Sequence, residues 1–496
     1  MSMFRRWLAC ALLCVWFRPE LLAQDGKSLP RKLGDRISRI PAGLASQFEK
    51  EPIPELPVSS SPLGRGLPGY HPPRVGGETS ASGNVINLDG AIGLRDALAF
   101  ALIYSPELAS FGWEIRAREA RSLQAGHPPN PVFSTLFEEF GRTTSSNAAG
   151  VTGPGGVIQP QATIQLSQLI ELGGKRAARQ KLAVLTRDLA AWDYETARID
   201  VLTRVTKVFL DVLASQETFA LAEQTTNLVE KVQQAVGLRV EAGVVSPIEL
   251  TRANVATASV RIELNRARRN LDADKMRLTA FWGRNSAKFE SAVGDLNILP
   301  PVPPFSELQA RLSQNPELAR WAAEAAQRDA ALGVERSKAV PDVTISGGYR
   351  RFTLIGGNAF VVGASIPIPW FDKNKGGIQE ARDRIRKASD DQRAAQVRAT
   401  TLLAEAYRDL ANAKDEVAAL SADVLPGVRS AFDGVTEGYR FGKFGFLEVL
   451  DAQRTLVLIN GQYLRALANY HQAAAEVERL IGAPLASAEA PTDIKK

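Results

Sequence analysis

At 496 residues the chain has room for several ordinary domains, and 45% hydrophobic with 23% charged residues is a globular balance. A net charge of +6 is modest for this length and no Lys/Arg block stands out, which argues against a nucleic-acid partner. Both cysteines, Cys10 and Cys14, lie in the first 23 residues. That stretch reads as a signal peptide: Arg5 and Arg6 precede an apolar run from Trp7 to Phe17, too short for the ~20 residues that span a bilayer. Cleavage is expected after Ala23, although Leu21 is larger than the usual small residue at its position. The mature chain would then have no disulfide, thiolate metal site or thiol nucleophile. Neither cysteine follows a convincing lipobox, so no lipid anchor is expected.

Residues 24–84 are rich in proline and poor in apolar periodicity, and are expected to form a disordered arm. A first structural repeat follows over 85–300. Its opening helical pattern is interrupted at Ser105-Pro106 and stopped by Pro128, Pro129 and Pro131. The period then changes to two, which predicts strands at about 131–140 and 161–170 around a Gly/Ser/Asn-rich loop. From Leu172-Gly-Gly-Lys175 a helical hairpin is predicted over about 173–283. Its first arm carries a heptad seam of Leu182, Leu185, Leu189, Trp192, Ile199 and Leu202, with Thr196 at one seam position. That arm would be roughly 100 Å long, too long for a compact globule. Gly243 breaks it, and Ser246-Pro247-Ile248-Glu249 restarts helix as a capping box.

The same order returns over 301–485. Asn315-Pro-Glu-Leu echoes Ser105-Pro-Glu-Leu, and strands are predicted at about 341–352 and 359–369. A second helical hairpin is predicted over about 375–482. Its first arm has an alanine-rich seam (Ala381, Ala388, Ala395, Leu402, Ala406, Ala413), and its last helix is seamed by Leu467, Tyr470, Ala474, Val477 and Ile481. Lys175 aligns with Lys373, which makes the first β-hairpin about 12 residues longer at its tip. Residues 486–496 form a C-terminal tail. The two hairpin tips align as Arg239-Val-Glu-Ala-Gly243-Val-Val-Ser-Pro-Ile-Glu249-Leu-Thr-Arg252 and Tyr439-Arg-Phe-Gly442-Lys-Phe-Gly-Phe-Leu-Glu448-Val-Leu-Asp451. Four strands with apolar outward faces, and Tyr349, Phe352 and Phe360 placed like an interfacial aromatic belt, cannot close a barrel alone. Other copies of the chain must complete them, and three copies give twelve strands. The competing reading is a soluble four-stranded sheet packed on helices.

This duplicated order resembles the outer-membrane factor (TolC-like) family over nearly all of 85–485. The most specific segments are Gln168-Leu-Ile-Glu-Leu-Gly-Gly-Lys-Arg176, Ile366-Pro-Ile-Pro-Trp-Phe-Asp-Lys-Asn-Lys-Gly376 and Tyr439–Arg454, which are similar to the heavy-metal cation efflux (CzcC/CusC-like) branch. The resemblance implies a mainly α fold with a small β part. It implies a homotrimer with a 12-stranded β-barrel in outer-membrane lipid, continued by a periplasmic α-helical barrel. It also implies docking to a periplasmic adaptor (membrane fusion) protein and an inner-membrane pump of the resistance-nodulation-division type. The expected function is passive conduction of substrates, heavy-metal cations among the candidates. The alternatives are the duct of a type I protein secretion system and a periplasmic coiled-coil adaptor or scaffold.

In that family, acidic residues just after the last tip glycine ring the pore, and Glu448 and Asp451 match by motif. They have simpler readings too: Glu448 near a helix N-terminus suits the helix dipole, and Asp451 can pair with Arg454 or face bulk water. The capping box alone accounts for Glu249, with pore lining as its other reading. Arg252 stands where the second copy has Asp451 and is a candidate for holding the tip closed against a carboxylate. Gly243 and Gly442 make the tip turns, with Val244, Val245, Lys443 and Phe444 as candidate adaptor contacts. Pro426-Gly427 predicts a kink, static or hinged. His71, His127 and His471 are scattered, and no nucleophile elbow, P-loop or HExxH occurs, so no enzyme, cofactor or metal site is expected.

Overall fold

The structure, a computed structural model, describes residues 90–138, 160–352 and 357–485, all within one compact unit, Pro57–Lys496. The expected signal peptide, Pro-rich arm and C-terminal tail lie outside the described residues. The elements in order are β1 (Ala91–Gly93), α1 (Leu94–Tyr104), α2 (Pro106–Ala125), β2 (Val132–Glu138), β3 (Gln161–Ile170), α3 (Lys175–Glu241), α4 (Pro247–Ala280) and β4 (Ser291–Val293). They continue with α5 (Phe305–Arg311), α6 (Pro316–Lys338), β5 (Val343–Phe352), β6 (Asn358–Ser365), α7 (Lys375–Ala419), α8 (Leu425–Arg440) and α9 (Phe446–Ile481).

The helices form four parallel rods. Two are continuous, α3 and α7–α8. The other two are broken. Ser105 caps α2, accepting from the Leu108 N–H, and Pro106 sits against Gly283 at the end of α4. Asn315 caps α6 by accepting from the Glu317 N–H at 2.8 Å, and its amide donates to the Leu480 carbonyl of α9 at 2.8 Å. The side chain that starts one segment therefore also satisfies an orphan carbonyl of the other. Packing orders the rods as α4/α2, α3, α9/α6, α7/α8.

The sheet repeats this order. β2, β3, β5 and β6 pair antiparallel in sequence order, with Thr135 opposite Ile164, Ile164 opposite Tyr349, and Tyr349 opposite Phe360. Each strand is the chain neighbour of one rod: α2 feeds β2, β3 feeds α3, α6 feeds β5, and β6 feeds α7. One face carries Phe133, Phe137, Ile164, Leu166, Ile345, Tyr349, Phe360 and Val362, all exposed. The other is more polar, and there Arg350 donates to Thr163 Oγ1 at 3.0 Å and pairs with Glu138 at 3.6 Å.

Several sequence expectations are refined. Phe352 is three residues from Tyr349, so the period of two puts it on the opposite face from Tyr349 and Phe360. β6 ends at Ser365 rather than near 369, because Pro367 and Pro369 have no N–H to give a ladder. The counterpart of Lys175 is Lys375, not Lys373. Each opens its rod after a left-handed residue, Gly174 (φ 70°) or Asn374 (φ 53°). The α7 seam buries Ala381, Ala388, Ala395, Ala406 and Ala413 as read and adds Leu403, Leu410 and Val417, whereas Leu402 is exposed. An eight-residue step at 395–403 keeps the stripe on one side of a 3.6-residue helix. In α3, Leu182, Leu185, Leu189 and Trp192 are only half-buried, whereas Tyr194 to Leu213 is buried on several faces, because α3 has neighbours on both sides. The α9 seam is buried as read. Before Pro426 the α-helix widens into a π turn, Leu420–Val424. The proline lacks an N–H and its ring crowds the carbonyl of Ala422, and the wider turn relieves both.

One buried carboxylate makes a pH-dependent prediction. Burial, with Asp274 nearby, pushes the Asp211 carboxyl above its ordinary range despite the 2.6 Å hydrogen bond from Gln472. A folded pKa raised above the unfolded one means that the ionised form costs stability, increasingly as pH rises from about 4. Asp211→Asn, which keeps the acceptor for Gln472, is expected to raise the melting temperature at pH 7, with the gain vanishing below about pH 4. A gain that persists in acid would mean that packing, not charge, is the cause.

Candidate functional site at the paired hairpin tips

Both long rods end in the same hydrogen-bonded turn. In the first, the Val244 N–H donates to Arg239 O at 2.9 Å and the Gly243 N–H to Val240 O at 3.0 Å. In the second, the Lys443 N–H donates to Gly438 O at 2.8 Å and the Gly442 N–H to Tyr439 O at 3.1 Å. These are Schellman turns, and their left-handed positions are Gly243 (φ 69°) and Gly442 (φ 71°). The next helix then starts differently in the two copies. Ser246 accepts from the Ile248 N–H at 3.4 Å, whereas Gly445 offers no side chain. The capping box is half-made, because the Glu249 carboxylate does not reach back, and its Oε2 is buried without a partner.

The two tips pack on each other within one chain. Val236 of α3, Ala253 of α4 and Phe446 of α9 are buried together, flanked by Val240, Leu250, Tyr439 and Leu450. The Arg239 guanidinium lies 4.9 Å from the Tyr439 ring centroid, and the Tyr439 and Phe446 rings are 6.1 Å apart. Tyr439 Oη is buried with no partner, like Glu249 Oε2. The sequence pattern gave Tyr439 and Arg239 no role, because their contact joins segments 200 residues apart.

In the first turns of α9 the buried positions are Phe446, Val449 and Gln453, which turns Leu447, Glu448, Asp451 and Arg454 outward. Glu448 curls back over Gly445, where an added Cβ would lie 2.8 Å from its Oε2. No ion pair joins Asp451 to Arg454, and Arg252 is exposed with no ion pair among the described residues. Val244, Lys443 and Phe444 are exposed and Val245 is half-buried. Phe444 rests its ring on Gly438, whose missing Cβ makes the room. Pro426 and Gly427 lie at the head of the 16-residue α8, about 24 Å above the turn at 1.5 Å per residue. Among the described residues no cluster of His, Cys, Asp and Glu could hold a metal ion, and no helix is long and apolar enough to cross a membrane.

The outer membrane efflux protein family pattern matches residues 98–284 and 308–483, one match to each structural copy. The chain belongs to the outer membrane efflux protein family. It is 36% identical over 393 residues to the cobalt-zinc-cadmium resistance protein CzcC of Cupriavidus metallidurans, covering 79% of this chain and 90% of that one. Its fold is similar to a crystallised membrane protein from Pseudomonas aeruginosa (TM-score 0.66, 20% identity, 84% of this chain and 97% of that one). It is also similar to CusC (TM-score 0.63, 15% identity, 84% and 99%). As an outer membrane efflux protein, the chain is a transport channel of the outer membrane rather than a periplasmic scaffold.

Proposed function

We propose that three copies of this outer membrane efflux protein close into one duct, with twelve strands in the outer membrane above twelve helical rods in the periplasm. The observation that carries this reading is that sheet and rods are open at the same two edges: β2 above α4/α2, and β6 above α7/α8. An unpaired strand edge is untenable in lipid, and the outer rods leave apolar stripes bare. On α4 these are Ile248, Val255, Ile262 and Met276, at heptad spacing apart from Arg269, and on α7 they are Val397 and Leu402. A second copy set edge to edge covers both layers at once.

In this assembly Glu448 and Asp451 ring the periplasmic mouth, six carboxylates in all, where they attract cations and resist closure by mutual repulsion. Arg252, which stands where the second copy has Asp451, is a counter-charge that can hold the tip closed, and the Glu249 carboxylate belongs to the tip's closed packing rather than to the pore. The exposed Val244, Lys443 and Phe444 beside Gly243 and Gly442 meet the periplasmic adaptor, through which an inner-membrane resistance-nodulation-division pump loads the duct. The π turn Leu420–Val424, just before Pro426 and Gly427, lets the tip bend during opening. CzcC is a cobalt-zinc-cadmium resistance protein, which favours divalent metal cations as cargo over a secreted polypeptide. In this reading the pump and adaptor choose the ion, and the duct conducts it. The purified oligomer in a planar bilayer is expected to give discrete cation-selective openings. A folded oligomer that gives none would overturn the reading.

A further inference from the structure

The lipid-facing stripe of β6 does not stop where the strand stops. Phe360 and Val362 are 88% and 84% exposed, and beyond Ser365 the same run continues through Ile366, then Ile368 at 76%, Trp370 at 78% and a fully exposed Phe371. The backbone leaves the sheet with fewer donors to satisfy than an ordinary strand end. Pro367 and Pro369 have no N–H and hold the chain extended, and the Trp370 N–H donates to the Ile368 carbonyl at 2.8 Å. A segment departing a barrel at the edge of the hydrocarbon needs just this economy of free N–H groups.

The dimensions agree. Five strand steps at about 3.3 Å and five extended steps at about 3.1 Å carry the chain about 32 Å from Phe360 to Trp370. With barrel strands tilted by about 40°, that is a height of about 25 Å, the thickness of the apolar band of an outer-membrane barrel. Lys373 and Lys375 are exposed immediately below, at the level of lipid phosphates. The first copy lacks the feature. Its equivalents at an offset of 200 are Ile170 and Glu171, and Glu171 is paired with Arg179.

We propose that Ile366–Phe371 is a proline-braced lipid anchor, with Trp370 and Phe371 seated among the phospholipid headgroups of the periplasmic leaflet, while Tyr349 and Phe360 mark the opposite leaflet. This rests on the barrel reading above. The anchor is one-sided within each chain, so a closed trimer carries three, not six. It fixes how deep the barrel sits and joins the membrane plane to the start of α7, four residues on.

The test uses the full-length oligomer in vesicles of phosphatidylcholine brominated either close to the headgroup or near the acyl-chain end. The Trp370 emission is taken as wild type minus Trp370→Phe, which retains an aromatic ring and the fold. Its loss in shallow-brominated vesicles, with less loss in deep-brominated ones and none with aqueous iodide, is the expected result. Quenching by iodide, or by neither reagent because a neighbouring copy or residues 1–89 cover the ring, would overturn it. A second variant, Phe360→Trp in the Trp370→Phe background, separates the two readings. If the new tryptophan is quenched by brominated lipid and Trp370 is not, the anchor fails and the barrel stands. If neither is quenched by lipid, the barrel fails too.

Discussion

Glu448→Gln/Asp451→Asn is expected to abolish the cation preference of the pore while leaving its assembly unchanged. Both side chains are exposed on α9, away from the buried Phe446, Val449 and Gln453 face, so neither helps to fill the core of the tip. A unit charge at about 4 Å contributes on the order of 1 kcal/mol in water and more where solvent is confined. Six such charges on one ring make a cation-to-anion permeability change of roughly tenfold a low expectation, since tenfold is only ~1.4 kcal/mol. Reversal potentials in asymmetric salt measure it. Unchanged selectivity would reduce Glu448 to a helix-dipole partner, which its curl over Gly445 permits, and Asp451 to a solvated charge.

The second large effect is steric. Gly438→Leu is expected to expel Phe444 from the second tip. A side chain there occupies the space of the Phe444 ring, and Gly438 also accepts the Schellman bond from Lys443. Overpacking costs about 1–3 kcal/mol, whereas replacing a helical glycine regains only about 0.8. The balance is unfavourable by about 1 kcal/mol at the middle of that range, so the amides of Gly442 and Lys443 should exchange with solvent roughly fivefold faster. Gly442→Ala meets no neighbour and suffers only its left-handed backbone, so Phe444 should stay seated in that variant. Equal exchange in Gly438→Leu and wild type would show that Phe444 does not depend on Gly438, and would remove the packed tip from the account.

What the sequence shows plainly is what local chemistry dictates. Gly243 and Gly442 are needed at left-handed positions, Pro106 and Pro316 open helices behind capping side chains, and the alternation in 161–170 marks a strand to the residue. What it conceals depends on distant neighbours. The heptad reading of α3 assumes one partner, whereas a rod with neighbours on both sides buries Tyr194 and Phe209 as deeply as Leu202. The parallel pairing of β1 with β4 involves three residues on each side and leaves no periodic trace. The Arg239–Tyr439 contact and the buried Glu249 oxygen arise only when the hairpins meet. The exposed Trp370 and Phe371 are legible as a motif, but that Trp370 continues the apolar stripe of Phe360 and Val362 needs the β6 register.

The two open edges, aligned through both layers, are closed in this assembly by further copies. Disulfide cross-linking tests this closure most directly. In a background with Cys10 and Cys14 replaced by alanine, one cysteine at Ser134 on β2 is combined in turn with a cysteine at each position from 359 to 364 on β6, and the membranes are oxidised. At least one register is expected to link into a ladder of one, two and three chains, ending at three and dissolving on reduction. No link in any register, or a ladder that stops at two or continues past three, would contradict it.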